Sequence, residues 1–171
     1  MAWISFNMYQ VKDFPVGTGR DRVYDFAPHR MGAPTRPYVR GILFNYALEW
    51  IDQELGPEEE FVTLPADTML NYMSRKRSPI VTGLHNPGAL LLTGENLALH
   101  SLQEKSPNYI VLVDQKFAHY NARFFGRDYF QRTFQWIIQN YRVVQQIGTP
   151  PFTSQGFGIQ ILKRKSLTSD Q

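Results

Sequence analysis

Three polar side chains, Asp67, Asn71 and Arg75, follow one another at four-residue intervals. On a helix that spacing puts a carboxylate, an amide and a guanidinium on one face, a set able to hold a sugar hydroxyl and a phosphate together. The plainer account makes Asp67 a helix N-cap and the rest a solvated stripe. A second group, Asp114, Gln115, Lys116, His119 and Arg123, comes directly after the apolar run Tyr109-Ile110-Val111-Leu112-Val113. Ligands of open α/β sheets bind beyond the carboxyl ends of strands, so this loop and the one at Pro65-Ala66-Asp67 are where a ligand is expected. Arg123 and Arg127 flank Phe124-Phe125-Gly126. Their planar guanidinium forks suit a phosphate or a carboxylate, or equally an internal pair with Asp128 or Asp114. The candidate ligand-binding residues are therefore Asp67, Asn71, Arg75, Asp114, Lys116, His119, Arg123 and Arg127, and none is assigned a catalytic role.

Other chemistry is poorly supported. The chain has no cysteine, which excludes disulfides, thiolate metal sites and cysteine nucleophiles. Its histidines, His29, His85, His100 and His119, are scattered without metal-ligand spacing, and no cofactor is called for. Gly17-Thr18-Gly19-Arg20 lacks the lysine and following helix of a phosphate loop and reads as a turn. Arg75-Lys76-Arg77 sits at the end of a predicted helix, where cations offset the dipole or meet an anionic headgroup. A net charge of +3 and a pI near 9.2 are too mild and too dispersed to imply nucleic acid.

These groups must be positioned by a single domain, since 171 residues fall within the usual size of one domain. Residues 1–36 read as an extended, loop-rich opening segment with strand-like stretches on either side of the glycine turn. Pro37 suits a first helical turn, and Val39, Ile42, Leu43, Tyr46, Ala47, Trp50 and Ile51 recur at helical spacing until Leu55-Gly56-Pro57 stops the helix. Short strands are predicted at Phe61-Val62-Thr63-Leu64 and Ile80-Val81-Thr82, with a helix from about Asp67 to Lys76 between them. Asn86-Pro87-Gly88 starts a brief helical turn, and Thr93 caps a helix through Leu102. Tyr109 to Val113 is the clearest central strand, apolar without alternation. Asp128 is expected to cap a helix whose stripe is Phe130, Phe134, Ile137, Ile138 and Tyr141. Val143 to Ile147 and Gly158 to Leu162 follow as antiparallel edge strands, and the tail over 163–171 is expected to fray. The pattern predicts an α/β three-layer sandwich with a mostly parallel central sheet and an antiparallel edge.

Read together, residues 64–72 (LPADTMLNY), 75–79 (RKRSP) and 120–129 (YNARFFGRDY) resemble the soluble C-terminal region of bacterial membrane glycosyltransferases. These are the multi-spanning GT-C type enzymes related to dolichyl-phosphate-mannose protein mannosyltransferases. The resemblance runs from Val16-Gly17-Thr18-Gly19-Arg20-Asp21 to Phe157-Gly158-Ile159-Gln160-Ile161-Leu162. It departs at Ala66-Asp67, where a Glu-Gly pair is common, and at Phe130, where a glycine is common. It implies a non-catalytic extramembrane domain that assists recognition of an acceptor or a lipid-linked sugar, partnered by a membrane-spanning region that carries the catalytic carboxylate. A fragment of such an enzyme would face the periplasm or cell exterior, whereas a complete chain with this start would be cytoplasmic. Two other readings of the residues stay open. One is a soluble hydrolase or transferase using Asp67, Asp114 and His119; the other is a partner-binding module with an aromatic surface.

Overall fold

The computed structural model describes residues 15–16, 23–24, 39–66, 69–80 and 85–166. Two short strands, β1 (Pro15–Val16) and β2 (Val23–Tyr24), pair antiparallel, and the glycine turn expected between them lies outside the described residues. Then come α1 (Val39–Glu54), β3 (Phe61–Leu64), α2 (Met69–Ser74), α3 (Pro87–Lys105), β4 (Tyr109–Val113), a 3-10 turn (Ala118–Tyr120), α4 (Gln131–Asn140), β5 (Tyr141–Gly148) and β6 (Gly158–Arg164). The four longer strands form one sheet in the order β3-β4-β6-β5.

The sheet is mixed, not mostly parallel. β3 and β4 run parallel in the register Phe61↔Tyr109 to Leu64↔Leu112, while β4–β6 and β6–β5 are antiparallel. The reason is the path of the chain: α2 and α3 carry it over from β3 to β4, but the loop 149–157, with no helix in it, turns β5 back into β6, which inserts beside β4. A parallel pair needs a long crossover and an antiparallel pair only a tight connection. The expected antiparallel pairing of the last two strands is present, with β5 at the edge. It extends beyond the predicted limits, and Lys163 and Arg164 belong to β6, not to a fraying tail.

Side-chain alternation divides the core between the two faces of the sheet. Phe61, Tyr109, Val111, Val113, Ile159 and Ile161 pack with Phe44, Ala47 and Ile51 of α1 and Leu70 and Met73 of α2. Val62, Leu64, Ile110, Leu112 and Leu162 pack with Ala98 and Leu102 of α3 and with Phe130 and Ile137 around α4. Every residue of β3 and β4 is buried, as the unbroken apolar run of β4 predicts. Each fully buried leucine or isoleucine of this kind contributes roughly 1.5–3 kcal/mol.

Helix faces and caps differ from expectation in several places, among them Ile138 of the predicted α4 stripe, which lies on the outer side of the helix and is 51% exposed. α1 turns Phe44, Ala47, Leu48 and Ile51 inward and leaves Tyr46 55% exposed, because its apolar residues span a wide arc and periodicity alone does not choose the centre of that arc. The span 87–105 is two helical segments separated by a break at Gly94, whose φ of 74 and ψ of 165 are non-helical, so the expected interruption is present but the first segment is longer than a brief turn. Asn86 Oδ1 caps it by accepting from Ala89 N at 2.8 Å, while the predicted cap Thr93 donates back to Ala89 O at 2.9 Å. Finally, α4 begins after Phe130, too late for Asp128 to cap it. Its Thr133 N–H donates instead to Glu95 Oε1 of α3 at 2.7 Å. Ile80 is buried but outside any strand; Val81, Thr82, Pro37 and Asp67 lie outside the described residues.

Candidate functional site

The carboxyl end of β4 is where the sequence places most of its candidate residues. Asp114 N–H donates to Gly158 O at 3.0 Å, so the first residue past the strand is still tied to β6. Its side chain is only 2% exposed, with Lys116 Nζ 3.8 Å from Oδ2. Oδ1 accepts the Phe152 N–H at 3.1 Å, which latches the loop between β5 and β6 onto the end of β4. Burial raises the Asp114 pKa, and the Phe152 N–H, Lys116 and Arg40 offset part of that rise.

Beyond Asp114 the chain makes a small closed loop. Phe117 N–H donates to Ala122 O at 3.1 Å and Tyr120 N–H to Phe117 O at 2.9 Å. His119 is exposed on this loop, its ring 4.4 Å from that of Tyr120 and 6.0 Å from that of Phe117. Lys116 and Arg127 each lie over the Phe124 ring, at 5.8 and 4.0 Å. Asp128 then organises the backbone: Oδ2 accepts from Arg123 N and Phe124 N, both at 2.9 Å. Arg127 grips the same carboxylate through Nε at 2.8 Å and Nη2 at 3.3 Å. The Arg127 bonds, reinforced by the two backbone N–H groups, hold the Asp128 pKa down to about 2.

Of the two arginines, Arg127 is thus committed to an internal bidentate pair. Arg123 contributes its backbone to that loop and leaves its guanidinium exposed. Lys116, His119 and Arg123 are the rim groups that face solvent, and Asp114 is the anchor beneath them.

The α2 residues do not join this rim. Asn71 is buried and accepts from Thr63 Oγ1 at 2.8 Å, while its amide donates to Phe61 O at 2.9 Å and to Lys76 O and Arg77 O at 3.4 Å. It fastens the chain after α2 against the amino end of β3. Phe61 is level with Tyr109, five residues before Asp114, or about 16 Å along a strand. Arg75 lies past the end of α2 with a φ of 58, its guanidinium 4.9 Å over the Tyr72 ring. Asn71 and Arg75 therefore share no helical face, and Asp67 lies outside the described residues.

Sequence reasoning missed the polar groups beneath the rim. Tyr129 is buried, with a hydroxyl that has no hydrogen-bond partner; burial, then the charges of Asp128 and Asp114, push its pKa up. Thr149 Oγ1 is likewise buried without a partner, as is Oε1 of Gln115, a member of the predicted group. Tyr129 reads in the sequence as one more core aromatic, and only the folded contact with Phe117 and Phe125, at 6.0 and 5.7 Å, places it here. Among the described residues there is no cluster of three or more histidine or carboxylate side chains fit to hold a metal ion, and no helix long and apolar enough to cross a membrane. Comparison with known proteins finds no matching family model, no similar curated protein and no similar solved structure.

Proposed function

We propose that this chain is a non-catalytic extramembrane domain of a membrane glycosyltransferase, and that its rim beyond β4 assists recognition of an acceptor or a lipid-linked sugar on the extracytoplasmic face. The supporting observation is that exposed Lys116 and Arg123 share one short loop with the adjoining, tilted rings of His119 and Tyr120, above the buried Asp114 carboxylate that Lys116 approaches to 3.8 Å. Cations of this kind attract a phosphate, and aromatic faces suit a sugar or an isoprenoid chain. The resemblance of residues 64–79 and 120–129 to the glycosyltransferase C-terminal region supports the same reading, as do the two core clusters on opposite faces of the sheet, which suit a three-layer sandwich.

A direct test titrates the 171-residue chain with farnesyl phosphate and with its mannosyl ester. Binding should weaken as salt rises, through screening of exposed charges. It should fall about tenfold in the double variant Lys116→Ala/Arg123→Ala, and no sugar should be transferred to an added acceptor. Equal binding by the double variant, or turnover by the chain alone, overturns the proposal.

A further inference from the structure

A groove of about 390 Å³ runs between α1 and β5, which is the edge of the sheet among the described residues. That volume is within the range of about 300–1,000 Å³ usual for small-molecule sites. One wall is a stripe of α1 that points past the core: Tyr46, Glu49, Trp50 and Gln53, spaced at three and four residues so that they share a face. Trp50 is half-buried, its ring edge-on to Tyr109 at 6.1 Å. Tyr46, one turn earlier, is more than half exposed.

The opposite wall is β5, and a bulge shapes it. The register slips between Val143, which faces Leu162, and Gln145, which faces Ile161. Ile161 belongs to the α1 side of the sheet, so the extra residue turns both Val144 and Gln145 toward α1, where regular alternation would send one of them to the opposite face. Val144 packs on the core and Gln145 lines the groove. Beside it Gln146 is held in place, accepting from Gln160 Nε2 at 2.6 Å.

The geometry points to a neutral saccharide as the occupant of this groove. Two aromatic rings on one wall offer the flat apolar faces on which the C–H side of a sugar ring stacks. The amides of Gln53 and Gln145 each donate and accept, and the Glu49 carboxylate accepts, which matches neighbouring sugar hydroxyls. Among the described residues none that lines the groove is cationic, so they offer an anionic ligand no counter-charge there. An added peptide strand is the other occupant an open edge invites, but the bulge interrupts the regular ladder that such pairing needs. This inference stands on the groove's own chemistry, apart from the rim beyond β4.

The test is amide and indole chemical-shift mapping on the full chain, titrated separately with maltotriose, cellotriose and mannotriose. At least one should give saturable shifts at the Trp50 indole and the Gln145 amide, with a Kd of about 1 mM. Tyr46→Ala and Gln145→Ala alter exposed or half-exposed side chains and should each weaken binding about tenfold while leaving the remaining spectrum intact. Trp50→Phe should retain measurable binding. The Lys116→Ala/Arg123→Ala variant should bind the sugars unchanged, which separates this site from the rim. Absence of saturable shifts with all three sugars, shifts that map elsewhere, or shifts of β5 caused only by an extended peptide would each overturn the assignment.

Discussion

His85 is 1% exposed, and its ring lies 5.5 Å from that of Phe130. Burial lowers its pKa from 6.5 to about 4, against a smaller raising effect of its hydrogen bond to the Ala98 backbone. A base whose folded pKa is depressed stabilises the fold fully above its unfolded pKa and loses that contribution as pH falls toward the folded value. Stability should therefore decline between pH 6.5 and about 4 by a few kcal/mol from this residue alone. Urea melts at stepped pH should show a clearly flatter dependence over that window in His85→Leu than in the natural chain. An identical slope would mean that other groups control the acid limb. Asp128 acts at the same scale but in a lower window, because its carboxylate stays ionised down to about pH 2.

Among the elements, the turn before α4 depends on what a glycine leaves out. Gly126 has a φ of 81, and a Cβ built there would come within 2.2 Å of Phe134. Gly126→Ala should cost about 3 kcal/mol, from backbone strain and overpacking together. Phe134 is half-buried between Phe125 and Phe152, at 5.8 and 6.2 Å, so Phe134→Ala should cost about 3 kcal/mol, the low end for a phenylalanine. The double variant should be less damaged than the sum, since removing the ring relieves the clash; strict additivity in chemical melts would show that the two do not meet. Glu95→Ala should cost about 1 kcal/mol by uncapping α4, and the exchange protection of the Thr133 amide should drop with it.

The existence of most elements was legible in local pattern: the β4 run, the stop at Leu55-Gly56-Pro57, the Asn86-Pro87 start and the final pair of strands. The faces were not. α1 carries Phe44 and Leu48 as well as Tyr46 and Trp50, so its inward side was settled by the sheet and not by its own periodicity. The candidate site was legible to a similar depth. Position after β4 picked out Lys116, His119 and Arg123, whereas Asn71 found its partners in backbone carbonyls of Phe61, Lys76 and Arg77, which converge only in the fold. The trans cap from Glu95 and the orphan hydroxyl of Tyr129 likewise depend on segments distant along the chain. Gln145 could be read toward the groove only with a bulge that no residue type announces.

At the scale of the whole molecule, β6 is the keystone of the sheet: it alone touches both β4 and β5, yet it follows every other described strand in the sequence. On a ribosome that adds about 5–20 residues per second, β3 and β4 can pair early, but β5 has no strand to pair with in the sheet until residues 158–164 have emerged. Topology therefore predicts maturation in two stages, a β3–β4 half first and a closing step last. A nascent chain stalled with residues 158–164 still in the exit tunnel should be cut readily by protease within β5, and the same chain extended so that those residues clear the tunnel should resist. Protection of β5 in the shorter chain would show that the edge closes without its partner.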